Sequence, residues 1–178
     1  FSSFVGQRPL PIRHAMTVGE IANYLKNEFY PSLDLHIIEI QGWKRNMWFD
    51  QTKLPWVMPS PNMPTLDTAI VYPGMCLLEG TNLSEGRGTT RPFEIFGAPF
   101  IEPETLVKRL KEFKLSGVVF RPMSFQPVFQ KHAGKLCGGS QIHVIDRNKF
   151  KPFKTGVVIL KAVSDLYPEQ FRWKEPPY

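Results

Sequence analysis

The sequence predicts an α/β or α+β fold, with a mixed sheet and flanking helices, and three observations carry that reading. Segments of helical and of strand periodicity alternate along the chain. Of its 178 residues 42% are hydrophobic and 21% charged, the balance of a globular chain that can bury a core. Proline and glycine punctuate the periodic segments without building a repeat or a low-complexity tract. One domain over 1–178 is the expectation.

The elements follow in order. Thr17-Val18-Gly19-Glu20 reads as a capping box, in which the threonine oxygen accepts an amide three residues on and the glutamate reaches back. It opens a helix to about Asn27, with Ile21, Ala22, Tyr24 and Leu25 on the face that packs against a sheet. Leu33 to Ile40 alternates at its start and is rich in β-branched residues, which predicts a strand. Pro55, Pro59, Pro61 and Pro64 make a stiff, irregular loop. Thr65 caps a second helix through Tyr72, which Pro73-Gly74 should end, and Met75-Cys76-Leu77-Leu78 has the length of a short buried strand.

A third helix over about 103 to 114 is predicted by Pro103 in its first turn and by Leu106, Val107, Leu110 and Phe113 at helical spacing. Val118 to Phe120 and Ile142 to Ile145 read as further strands, and Thr155 to Leu166 as a last helix.

Several function classes receive no support. The net charge of +6 is spread from Arg8 to Lys174 rather than gathered, and no nucleic-acid motif accompanies the aromatic and basic residues Trp43, Lys44, Arg45, Trp48 and Phe49. No run approaches the roughly 18 apolar residues of a membrane span. Cys76 and Cys137 are not in metal-ligand spacing; they are two buried thiols or one long-loop disulfide. His14, His36 and His132 are scattered, so no metal and no cofactor are expected, and His143 alternates with Ile142 and Val144 as a polar strand position or a base. The N-terminus has no initiator methionine and the C-terminus stops in a proline-rich segment, so the chain is expected to be a piece of a longer protein.

The richest stretch is Glu79 to Glu94, with carboxylates, arginines, hydroxyls and an amide around Gly80, Gly86 and Gly88. That is the composition of a polar binding loop, in which Asn82, Ser84, Arg87 and Thr89 are candidate ligand contacts. A phosphate cradle is the competing idea, but the lysine-serine/threonine ending of a P-loop is missing. Gly86 and Gly88 would let the backbone approach a ligand or adopt positive φ. Trp43, Trp48 and Trp56 offer flat stacking surface for a ligand, with Trp56 beside the proline loop the best placed.

At this point the residues carry a resemblance. Ser3-Phe4-Val5-Gly6, Arg13-His14-Ala15-Met16-Thr17, Trp56-Val57, Pro59 to Thr65, Tyr72-Pro73-Gly74, Glu79 to Thr90, Pro92-Phe93-Glu94, Gly97-Ala98-Pro99, Cys137-Gly138-Gly139 and Gln141 to Val144 occur in order. Together they closely resemble the bacterial NamZ-type exo-β-N-acetylmuramidases, glycoside hydrolase family 171, once called domain of unknown function 1343. Ala15 departs from the glycine more usual there.

The resemblance implies the C-terminal portion of a protein about twice this length, whose Rossmann-like first portion precedes this chain. It implies an active site in a cleft between the portions, and a leading catalytic glutamate in a phenylalanine-x-proline-glutamate-histidine-glycine segment with no counterpart here. It also implies a function, removal of terminal β-linked N-acetylmuramic acid from the non-reducing end of peptidoglycan fragments in cell-wall recycling. The partners it implies are muramic-acid saccharides and the missing portion, and its site is periplasmic or extracellular. A noncatalytic carbohydrate-binding or structural module is the alternative. Glycosidases need a carboxylic acid and a second carboxylate, or the substrate's own acetamido oxygen, and Glu79 and Glu85 are the candidates in this chain. A lactyl carboxylate suits a guanidinium, from Arg87, Arg45 or Arg91, and an acetamido group suits Asn82 or Asn62. Glu94 reads as an anchor.

Overall fold

The computed structural model describes residues 6–11 and 14–175, in two compact units, Phe1–Lys53 and Leu54–Tyr178. In the first unit, helix α1 spans Val18–Phe29. Both arms of its capping box form: Thr17 Oγ1 accepts from the Glu20 amide at 3.2 Å and Glu20 Oε2 from the Thr17 amide at 2.7 Å. No residue of α1 is buried, and Ile21, Ala22, Tyr24 and Leu25 are only half-covered. Leu33 to Ile40 is not a strand. Its β-branched residues have no neighbouring strand to pair with among the described residues of the unit; Ile38 and Ile40 stay exposed, and strand propensity is realised only on a pleated surface with neighbours.

The second unit holds helices α2 (Leu66–Met75), α3 (Pro103–Glu112) and α4 (Pro152–Leu166) and strands β1 (Ile95–Ala98), β2 (Val118–Phe125) and β3 (Cys137–Val144). The sheet is antiparallel with order β1-β3-β2, so the α/β character holds while the described strands include no parallel pair. Ile95 faces Gln141 across one pairing, and Val119 faces His143 across the other. β2 lies at an edge, which is why it tolerates Pro122, a residue without a ladder donor. The helices pack on one face of the sheet, where Leu106, Val107 and Leu110 of α3, Ile159 and Val163 of α4 and Phe96, Phe120 and Ile142 of the strands are buried. A smaller cluster of Ile95, Phe125 and Cys137, with Met123 against it, forms on the opposite strand positions.

The second helix does not stop at Pro73-Gly74 but runs through them, and Met75 to Leu78 is helical rather than a strand, a 3₁₀ turn over Cys76–Gly80. Burial follows a helical step, with Val71, Met75 and Leu78 inside. Gly74 is there for proximity, not termination. A Cβ on it would stand 1.8 Å from the Pro152 carbonyl oxygen, and one on Gly156 would stand 2.2 Å from the Gly74 carbonyl oxygen, so α2 and α4 cross with backbones touching. The sequence hides β1, whose four residues are all buried and carry no alternation. α3 and α4 fall close to prediction; α4 opens three residues early, with Pro152 in its first turn.

Candidate functional site

The loop after the 3₁₀ turn is held by its own side chains. Asn82 donates from Nδ2 to the Gln170 carbonyl at 2.8 Å and accepts the Arg172 amide at 3.0 Å, tying the loop to the segment after α4. Ser84 Oγ accepts the Gly86 amide at 3.2 Å, and Thr89 Oγ1 donates to the Gly86 carbonyl at 2.6 Å. Gly86 and Gly88 use positive φ, of 81° and 82°, and the backbone they approach is the chain's own: a Cβ on Gly88 would meet the Phe129 carbonyl oxygen at 2.5 Å.

Within this loop the charges form one connected set. Glu85 is 2% exposed; its Oε2 lies 2.9 Å from Lys131 Nζ and its Oε1 3.3 Å from Arg87 Nη1. Lys131 Nζ is also within hydrogen-bond distance of the carbonyl oxygens of Leu78, Glu79 and Leu83. Burial pushes the lysine below its ordinary pKa, while Glu85 pulls it back. Arg87 reaches Glu79 Oε1 at 3.0 Å as an ion pair without hydrogen-bond alignment, and its guanidinium stands over the Phe93 ring. Glu79 is the more reachable carboxylate, with 37% of its side chain exposed. Beside it, burial and the Glu79 charge push up both the Tyr72 phenol and the Cys76 thiol.

The other predicted contacts have partners of their own. Arg45, in the first unit, donates to Glu20 and to the Ala15 carbonyl and sits over the Trp43 ring. Trp56 donates from Nε1 to the Met63 carbonyl at 3.4 Å, and the Asn62 backbone N–H donates to Ser60 Oγ at 3.4 Å, so both belong to the proline loop. Cys76 and Cys137 are free thiols.

Open space lies on a neighbouring set of residues. A cavity of about 260 Å³ is lined by Asp67 and Val71 of α2, by Arg91 and Glu94, and by Gln141 and His143 of β3. It exists because β1 is short. Pairing of β1 with β3 stops at Ile95 opposite Gln141, with one more bond from the Ile142 amide to the Glu94 carbonyl at 2.8 Å, and β3 runs on to Val144 paired with β2 on its other side. Phe93, at φ 62° and 1% exposed, turns the chain from the loop into β1 and so places Arg91 and Glu94 at the cavity wall.

Most polar groups here have partners. Glu94 Oε1 accepts from Thr68 Oγ1 at 2.7 Å and from Thr65 Oγ1 at 3.4 Å, and Oε2 accepts from Arg91 Nη1 at 3.2 Å. Thr65 is also the N-cap of α2, so the same hydroxyl starts the helix and steadies the carboxylate. Gln141 Oε1 accepts from Arg121 at 2.6 Å, and Asp67 lies 3.7 Å from Arg147. His143 Nε2 is buried and has no hydrogen-bond partner among the described residues. Glu94 as an anchor was legible in the sequence; the gathering of Asp67, Arg91, Gln141 and His143 was not, because it depends on where β1 ends.

Residues 70–177 match the family model for the C-terminal domain of the exo-β-N-acetylmuramidase NamZ. The chain belongs to the NamZ family. Residues 1–67 match the model for the NamZ N-terminal domain, which extends the likeness beyond the C-terminal portion. The peptidoglycan β-N-acetylmuramidase NamZ of Bacillus subtilis strain 168 is 51% identical over 173 residues, 97% of this chain and 42% of that protein. Two crystal structures of DUF1343 family proteins from Bacteroides fragilis are similar. One has a TM-score of 0.88 at 35% identity, covering 94% of this chain and 44% of its own; the other has 0.69 at 26%, covering 98% and 46%. The chain thus spans under half the length of these relatives.

Proposed function

We propose that this chain is part of a glycosidase that releases terminal β-linked N-acetylmuramic acid from the non-reducing end of peptidoglycan fragments, in a site completed by a portion of the protein outside these residues. The observation that carries the reading is the cavity, whose wall combines a carboxylate, a guanidinium, an amide and an imidazole. At about 260 Å³ it falls just below the roughly 300–1,000 Å³ of small-molecule sites, a size for one sugar residue rather than a chain. The muramidase relative from Bacillus subtilis supports the same substrate class.

In this reading Arg91, 47% exposed and steadied by Glu94, offers its remaining donors to the lactyl carboxylate. Glu79, at the surface of the neighbouring loop, is the carboxylate of this chain best able to approach the glycosidic bond, while Glu85 braces the loop through Lys131 and Arg87. The other catalytic carboxylate comes from the portion outside this chain. Such a substrate is cell-wall debris, so the enzyme works in the periplasm or outside the cell and feeds cell-wall recycling.

The test is hydrolysis of a chromogenic N-acetylmuramic acid β-glycoside by the full-length protein, alongside Glu79→Gln, Glu85→Gln and Arg91→Leu. Turnover that falls by orders of magnitude in Glu79→Gln, with a raised KM in Arg91→Leu, supports the assignment. Failure of the wild-type protein to release N-acetylmuramic acid from a non-reducing end overturns it, and full activity in both glutamine variants reduces the loop to a brace.

A further inference from the structure

We propose that Arg87 is a positioning residue for glycoside cleavage: it fixes the Glu79 carboxylate, and Glu85 with Lys131 fixes Arg87 in turn. This rests on the glycosidase reading, in which Glu79 approaches the bond that breaks. The loop's composition makes Arg87 a candidate ligand contact, yet both of its terminal nitrogens face carboxylates of this chain. Nη1 lies 3.3 Å from Glu85 Oε1 and Nη2 lies 3.0 Å from Glu79 Oε1. A substrate carboxylate arriving there would meet two negative charges already in place.

The order of the charges gives the arrangement its direction. Lys131, Glu85, Arg87 and Glu79 alternate in sign, and they run from Glu85, 2% exposed, out to Glu79 at the surface. Lys131 takes Glu85 Oε2 at 2.9 Å and leaves Oε1 to the guanidinium. Beneath the guanidinium lies the buried Phe93 ring, its centroid 5.1 Å from Arg87 Cζ, and that ring packs edge-on with Tyr72 at 4.8 Å. A planar fork held at one nitrogen and across one face cannot follow a moving partner, so it decides where Glu79 sits.

The hold on Glu79 is one-sided. Its Oε1 is buried and turned to Arg87, without an aligned hydrogen bond. The exposed part of the carboxylate is therefore Oε2, the oxygen left to meet a substrate. A glutamate side chain turns about several bonds and has to be ordered before it can react. A misplacement of about 1 Å at a reacting group costs about 100-fold in rate.

Positioning differs from bracing and from substrate binding in which rate constant it moves. In the full-length protein, Arg87→Lys keeps a positive charge against Glu85 but has no fork to span both carboxylates. It is expected to melt within a few degrees of wild type. On the chromogenic muramide its KM should stay within about threefold while kcat falls by about 10- to 100-fold. Added to Glu79→Gln, the same change should cost little more, because the arginine acts through a carboxylate that is already gone.

An Arg87→Lys protein that keeps kcat within about twofold of wild type, assayed well below its melting temperature, overturns the proposal. A raised KM at unchanged kcat also overturns it and returns Arg87 to substrate binding. Full additivity with Glu79→Gln does the same, since the arginine then acts elsewhere. Wild-type protein that cleaves no muramide refutes the glycosidase reading and this inference together. A kcat that depends on Glu79 but not on Arg87 refutes this inference alone.

Discussion

Lys131 and Glu85 are 46 residues apart in sequence and 2.9 Å apart in space, and their pairing closes the loop that the sequence marks out most strongly. The lysine lies in the segment between β2 and β3, so one side chain from that connection reaches three carbonyl oxygens and a buried carboxylate of the other. Removing it leaves Glu85 without its cation in a site that is 2% exposed.

Lys131→Met is accordingly expected to destabilise the full-length protein by about 3–5 kcal/mol, the range for breaking a buried ion pair from one side. Adding Glu85→Gln should restore a substantial part, because the uncompensated charge disappears. Urea denaturation of the single and double variants measures both, and equal losses in the two would contradict the account.

How much was legible depended on whether the signal was local. The capping box at Thr17 and the α3 start at Pro103 form from neighbours in sequence, and both came out as read. The Met75 to Leu78 segment did not, because an apolar run of that length suits a strand or a helix equally and the close contact of Gly74 with α4 decided it. The polar loop gathers its charges into one set, yet its amide and hydroxyls serve the backbone around them. The cavity was invisible because it is a gap left by β1, and nothing in Ile95-Phe-Gly-Ala98 states where its partner strand continues.

Ala15 sits at φ 56°, in the left-handed region that costs a residue with a Cβ roughly 1 kcal/mol. Ala15→Gly, which restores the residue usual in the resembling family, is expected to raise stability by up to about 1 kcal/mol. A thermal melt of the variant checks the sign, and a drop of the same size would show that the glycine's extra freedom in the unfolded chain outweighs the relief.

The crossing of α2 and α4 predicts a large effect from a small change. Gly74→Ala pushes a methyl group to within 1.8 Å of the Pro152 carbonyl, so the helices must part, at a cost of about 3 kcal/mol or more. The same substitution at Gly42, where a Cβ meets nothing within 4 Å, carries only the strain of its φ of 73° and should cost less. Denaturation curves for the two variants side by side provide the comparison.

Asp165 links α4 to α3 through Arg109 at 2.9 Å and pairs with Lys161 at 3.0 Å, and hydrogen bonds from both hold its carboxyl below the usual aspartate value of 3.8. A depressed native pKa means that the contribution is fully present above the unfolded value and lost as pH falls below 3.8 through the native one. Stability measured between pH 7 and pH 3 should thus decline less steeply in Asp165→Asn than in wild type. Parallel curves would show that the pair contributes nothing.

The cavity is bounded by pieces of chain far apart in sequence, Asp67 to Val71, Arg91 to Glu94 and Gln141 to His143. A designer who copied the conspicuous glycine-rich loop into another scaffold would transplant a brace and leave the pocket behind. Moving the pocket would require carrying the first turns of α2, the turn at Phe93 and the overhanging end of β3 as one rigid unit, because each supplies a wall that the other two cannot replace.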